Sequence, residues 1–284
     1  MWRRAGLLEA SLLTGFLAFS PMLVYQSRNA RPYAITILLT WVALWALARW
    51  HKEGQTRWAV LYSLAAVLAC WFHAAIVPFV VLPLVWLWGV QLYRCWHDRR
   101  WRPLFSITAL GTVTAVGIGF FTVLPTVLHR DMMATRAGMD IPQGETYAGF
   151  AHLLFGHEQL LLVGVLWLFA LWGMYRAWQL DDGLLKLIVI GFAATVLSIY
   201  LLRPAWVHNP LTFSRSVLPV WPLLLGCTAL GLADAIRRLW QHCVELRPVA
   251  LILLLTPMLT ISGKHIRDLL QTPPSLFLHS WYWY

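Results

Sequence analysis

Four arginines border apolar segments in a way that suggests anion chemistry. Arg28 and Arg31 lie three residues apart in the run Ser20-Pro21-Met22-Leu23-Val24-Tyr25-Gln26-Ser27-Arg28-Asn29-Ala30-Arg31-Pro32-Tyr33. On a helical turn, residues at that spacing share a face. Two guanidiniums on one face repel unless an anion sits between them, and guanidinium grips phosphate through two parallel N–H groups. The chemistry on offer is a clamp for a lipid phosphate or pyrophosphate. The competing reading is snorkelling of both side chains towards lipid headgroups, and charge alone favours it. A second pair, Arg203 and Arg215, frames the segment Arg203-Pro204 to Phe213-Ser214-Arg215. Pro219 and Pro222 follow, inside what reads as the next span, where they should bend it. Such a bend either opens a cavity for a ligand or is an ordinary kink beside a solvated arginine. His73 stands alone in an apolar run, where an ionisable group is expensive and often functional. A neutral imidazole bonded to a helix-end carbonyl at a turn is the commoner arrangement.

The carboxylates do not define a catalytic pair. Asp131, Asp140, Glu145, Glu158 and Asp268 fall on the outer side of the topology derived below, Asp181 and Asp182 on the inner side, and Glu9 at the inner end of the first span. There is no Walker loop, no G-x-S-x-G and no D-x-D motif, which argues against a cytosolic nucleotide-sugar enzyme. No H-x-x-x-H or C-x-x-C spacing is present, so no metal site and no cofactor is assigned, and a divalent cation would have no assignable ligands. Cys70 and Cys227 fall in apolar runs, and Cys95 and Cys243 beside arginines; all four read as lone thiols.

The elements that must carry these groups follow from composition. Of 284 residues, 60% are apolar and 12% charged, against about 25% charged in ordinary soluble domains. A soluble surface cannot be built from so few polar side chains, and disorder is excluded by the same figures. The chain therefore reads as an integral membrane protein, with 18 Trp and 9 Tyr suited to membrane–water boundaries. Its formal charge of +10 fits basic flanks of membrane spans better than nucleic-acid binding, because no basic stripe stands free of the apolar segments.

Spans need about 20 mostly apolar residues. The segments 10–26, 33–48, 58–72, 74–93, 104–128, 160–175, 187–202, 216–233 and 248–262 qualify, some of them short. Lipid demands internally satisfied backbones, so an all-α polytopic bundle of about nine transmembrane helices is expected. The uncharged stretch from Trp58 to Tyr93 is too long for one helix and should turn back between His73 and Pro78. With the N-terminus in the cytoplasm, the larger share of the 22 Lys and Arg falls on the inner side. That orientation puts the C-terminus outside. The whole chain reads as one transmembrane domain, and its first apolar run as a permanent span rather than a cleaved signal. An outer loop over 129–159 carries Tyr147, Phe150, Ala151 and Leu154 at helical spacing, suited to an interfacial helix or to a packed loop helix. The outer tail over 263–284 ends in Trp281-Tyr282-Trp283-Tyr284, an interfacial anchor.

The motifs above also carry a resemblance. The run from Ser20 to Tyr33 resembles the S-P-x-x-V-Y-x-S-x-E-A-R-P-Y stretch of bacterial family 39-like glycosyltransferases, GT-C-fold membrane enzymes related to dolichyl-phosphate-mannose protein mannosyltransferases. Trp71-Phe72-His73 resembles the Y-T-H turn of that family. The segment after Leu124-Pro125, ending in Leu154-Phe155-Gly156, resembles the part leading to its interfacial helix. Phe213-Ser214-Arg215-Ser216-Val217-Leu218-Pro219-Val220-Trp221-Pro222 resembles its R-Y-L-L-P-x-x-P element. Asn29 replaces the family's Glu, and Ser216 its Tyr. The family's first two spans and the acidic W-L-D-E-like loop between them have no counterpart, since Met1 to Arg4 resembles the basic inner loop before its third span.

The resemblance implies a GT-C-like bundle in a bacterial inner membrane. It implies a polyprenyl-phosphate-linked sugar as donor at the outer face, alongside membrane lipid as solvent. A carboxylate would deprotonate the acceptor hydroxyl, which attacks the anomeric carbon as the lipid phosphate leaves. Arginines would stabilise that phosphate. By resemblance Arg28, Arg31 and Arg215 take this role, Arg203 is a weaker candidate, and Tyr33 and His73 are supporting groups. The base is unassigned. Three functions stay open: an enzyme, whose absent N-terminal piece would lie upstream of Met1 or on a partner chain; a non-catalytic relative that binds lipid-linked sugar or supports a partner; and a transporter or flippase of such lipids.

Overall fold

A computed structural model describes residues 6–20, 22–23, 32–99, 101–128, 141–156, 159–179, 183–204, 207–242, 245, 248–249 and 252. Its helices are α1 (Leu7–Phe19), α2 (Tyr33–Glu53), α3 (Thr56–Phe72), α4 (Val77–Asp98), α5 (Arg102–Ile118), α6 (Leu124–Leu128), α7 (Gly144–Phe155), α8 (Leu160–Gln179), α9 (Leu184–Leu202), α10 (Pro210–Ser216) and α11 (Val220–His242). A 3₁₀ turn, Ala74–Ile76, precedes α4, and a π turn, Gly119–Val123, joins α5 to α6. There is no β-strand among the described residues.

Among the described residues six helices are long and apolar enough to cross a membrane: Tyr33–Glu53, Ala74–Asp98, Arg102–Val123, Leu161–Gln179, Leu184–Leu202 and Val220–Gln241. The chain is thus a multi-pass membrane protein. Two further apolar helices, Leu7–Ala18 and Thr56–Phe72, are shorter. The expected ninth span, 248–262, lies almost wholly outside the described residues, as does the aromatic tail. Many large apolar side chains face outward, among them Leu38, Phe105 and Leu161. Lipid as solvent explains this, because an outward Leu then loses nothing.

The chain divides into two compact units, each built from separated stretches. The first takes Met1–Arg31, Gly144–Asp182 and Val220–Tyr284; the second takes Pro32–Gln143 and Gly183–Pro219. In the first, α11 is the core: 72% of its membrane window is buried, against 22% for the window of α5 in the other unit. It packs along α8 and α1. Gly173 on α8 and Gly231 on α11 make the α8 contact. A Cβ built on Gly173 would lie 1.8 Å from the Cys227 carbonyl oxygen, and one on Gly231 would lie 2.0 Å from that of Phe169. Helices approach this closely in lipid only where side chains are absent. Polar groups then close one end of the unit. Asp234 accepts from Trp172 Nε1 and Arg238 Nε, both at 2.9 Å, with Arg176 at 3.8 Å. Buried Glu9 pairs with Arg237 and accepts the Gly6 N–H at 3.0 Å. Helix α7 buries Phe150 against Trp221, and the Leu154 carbonyl accepts the Ser20 hydroxyl at 3.3 Å.

The second unit contains two antiparallel hairpins, α2–α3 and α4–α5. Ser63 and Thr114 share a hydrogen bond of 2.9 Å, and four and three residues further on Val67 lies against Gly117. Both contacts advance in the same direction, so α3 and α5 run parallel with their starts at one end. Pro83 inside α4 removes the N–H that would bond the Phe79 carbonyl. A Cβ on Gly191 of α9 would lie 2.5 Å from that oxygen, so the missing side chain lets α9 close over the gap. Nearby, Tyr62 donates its hydroxyl to the Val80 carbonyl at 2.9 Å.

The break expected between His73 and Pro78 is present: α3 stops at Phe72, and His73 is extended with φ −152° before the 3₁₀ turn. The expected bend at Pro219 and Pro222 is absent. Helix α11 begins at Val220, so Pro219 precedes it and Pro222 sits in its first turn. There a missing N–H costs nothing, because first-turn donors have no intrahelical acceptor.

Candidate functional site

The site is built on α10. Asn209 Oδ1 accepts the Leu211 N–H at 2.9 Å and Pro210 follows it, an N-cap and first-turn proline that start a helix unaided. The helix lasts seven residues. Ser214 donates its hydroxyl to the Leu211 carbonyl at 2.7 Å, and Ser216 donates to that of Thr212 at 3.3 Å. Arg215 therefore sits in a last turn whose neighbouring hydroxyls are already committed. Beyond it, Trp41 Nε1 on α2 donates to the Pro219 carbonyl at 2.9 Å and fixes the exit of the segment.

The carbonyl of Arg215 belongs to a helix end that leaves such oxygens without an intrahelical donor. His73 supplies one: its Nε2 lies 3.1 Å from the Arg215 oxygen. A carbonyl only accepts, so Nε2 carries the proton in this contact. His73 is itself fixed from both sides, its N–H donating to Ala69 at 3.0 Å and its carbonyl accepting from Ile76 at 3.0 Å. The buried ring of Tyr33, at the start of α2, meets the imidazole edge to face with centroids 5.8 Å apart. Three residues singled out in the sequence, Tyr33, His73 and Arg215, are thus brought together from α2, the α3–α4 turn and α10.

The guanidinium of Arg215 is half-buried, and its Nε is fully buried with no hydrogen-bond acceptor among the described residues. No described carboxylate forms an ion pair with it. A cationic donor withdrawn from water in this way is costly until an acceptor arrives. Arg203 is placed differently. It ends α9 in the left-handed region at φ 45°, donates its N–H to Ile199 at 2.9 Å, and is exposed; no described contact links it to Arg215. Arg28 and Arg31 lie outside the described residues.

Half of the described carboxylates are committed elsewhere. Glu9, Glu53 and Asp234 are held by arginines, while Asp98, Glu145 and Glu245 are exposed. Asp131, Asp140, Glu158, Asp181, Asp182 and Asp268 lie outside the described residues. Within the second unit the described acids are Glu53 and Asp98, at the ends of α2 and α4, and neither bonds to His73 or Arg215. Nor is there among the described residues a group of three His, Cys, Asp or Glu able to hold a metal ion. Cys70, Cys95 and Cys227 are free and buried.

Sequence reasoning missed Trp41 and Asn209. The Asn-Pro pair was a readable helix start, but nothing local marks a tryptophan that donates to a carbonyl 178 positions away. No family model, no curated protein and no solved structure matches this chain.

Proposed function

We propose that this protein is a membrane glycosyltransferase of GT-C type, or a relative of one, that takes a polyprenyl-phosphate-linked sugar at the outer face of a bacterial inner membrane. The observation that carries this reading is the buried Nε of Arg215, without an acceptor among the described residues, at a helix end pinned by His73. Such a group needs an anion, and within a multi-pass membrane unit the anion within reach is a lipid phosphate. Guanidinium suits it, because phosphate oxygens match its fork of donors. In the transfer step the acceptor oxygen bonds to the anomeric carbon as the bond to the phosphate oxygen breaks. The lipid phosphate leaves with an added negative charge, which Arg215 stabilises. Arg203 would add to this charge stabilisation more weakly; Arg28 and Arg31, to which the resemblance gives the same role, lie outside the described residues. The proton of the acceptor hydroxyl goes to a carboxylate on this chain or on a partner chain.

The test is binding of a polyprenyl phosphate to the purified protein, followed by native mass spectrometry. Arg215→Gln should weaken it ten- to hundredfold, the scale of a lost charge-assisted hydrogen bond. Arg31→Ala should weaken it as well. Unaltered binding in both variants overturns the reading. Release of polyprenyl phosphate from a lipid-linked sugar, with a glycosylated product, separates the enzyme from a binder; translocation without product marks a flippase.

A further inference from the structure

The opposite end of the second unit carries a different array of charge. Because α3 and α5 run parallel, the Gly54 turn between α2 and α3 and the junction between the end of α4 and the start of α5 lie at one end of that unit. Arg49, Lys52 and Arg57 come from the turn, and Arg94, Arg99 and Arg102 from the junction; Glu53 and Asp98 are the only described acids beside them. Glu53 is consumed by the first group: it lies 2.8 Å from Arg49 and 4.0 Å from Arg57, and accepts Trp58 Nε1 at 2.7 Å. Both arginines also stack on Trp58, at 5.6 and 4.8 Å from its ring centre. Around the junction no described carboxylate pairs with Arg94, Arg99 or Arg102, and Tyr93, Trp96 and Trp101 are exposed. Free cations interleaved with outward aromatic rings, at the ends of helices long enough to cross a bilayer, match an anionic headgroup layer. The rings sit at the headgroup level and the guanidiniums reach the phosphates.

We propose that the α4–α5 junction is a docking surface for anionic phospholipid headgroups, with Arg94, Arg99 and Arg102 as its cations. The surface is separate from Arg215 and does not depend on the activity proposed above. It also orients the unit, placing this end at the more anionic leaflet.

The experiment uses the full chain in detergent with added phosphatidylglycerol or phosphatidylcholine, read as lipid retained in native mass spectrometry. Phosphatidylglycerol should be retained at least tenfold better, and the preference should shrink as salt rises. Replacing Arg94, Arg99 and Arg102 together by Gln should abolish the preference, and replacing them by Lys should keep most of it. The readout compares two lipids on the same variant, so a general loss of stability cancels. Equal retention of both lipids by the unaltered chain, or an undiminished preference in the Gln variant, overturns the proposal. So does loss of the preference on adding inorganic phosphate at matched ionic strength, since free phosphate would then be the occupant.

Discussion

The two ends of the second unit solve the problem of charge at a membrane in opposite ways. At the α2–α3 turn, Arg49 and Arg57 share Glu53 and stack on Trp58, so each cation has an anion or a ring beside it. At the α10 end, Arg215 is half-buried, its Nε has no acceptor among the described residues, and His73 bonds its backbone rather than its charge. The first arrangement is complete without a ligand; the second is not. The difference separates charges that hold a fold from charges that await a partner, and it appears in the acceptors around each guanidinium rather than in residue type.

Substitutions can break or sharpen that contrast. The largest effect is expected from Gly191→Leu, which drives a side chain into the Phe79 carbonyl and parts α9 from α4. Overpacking of this kind costs about 1–3 kcal/mol or more, and thermal unfolding in detergent should show a large fall or loss of folded protein. Next comes Arg215→Leu. It should abolish most polyprenyl-phosphate binding while leaving the melting temperature equal or higher, because an uncompensated buried donor is removed. A marked fall in melting temperature there would make Arg215 a structural residue and erase the contrast. Tyr62→Phe removes one buried hydrogen bond within the same unit and should cost about 0.5–1 kcal/mol by thermal shift. The smallest effect is expected at the completed end. Glu53→Gln leaves Arg49 and Arg57 facing each other without their shared anion and should destabilise by about 0.2–1 kcal/mol, with lipid-phosphate binding unchanged.

Much of the fold was legible in the sequence because lipid imposes a simple rule. A run of apolar residues must be helical, and a charge-free stretch too long for one helix must turn. The turn at His73 followed from that rule alone. The start of α11 did not. Pro219 and Pro222 read as a kink inside a span because hydropathy runs through them, whereas the chain breaks after Ser216 and restarts at Val220. The bonds that hold that break, from His73 to the Arg215 carbonyl and from Trp41 to the Pro219 carbonyl, have donors far away in sequence.

The candidate site was half legible. Arg215 and His73 stood out from the residues themselves, Tyr33 only through the resemblance, and the Asn209-Pro210 start of α10 could have been read from local rules. Their meeting could not, since it joins α2, the α3–α4 turn and α10. The sequence by itself determined that this protein is helical, multi-pass and rich in cations at the ends of its apolar segments. Those properties depend on composition and on the length of the apolar run that each segment carries alone. Tertiary structure decided which cation is satisfied and which is left waiting, because an acceptor counts only within about 3.5 Å, and residues that close are brought together by packing rather than by order along the chain.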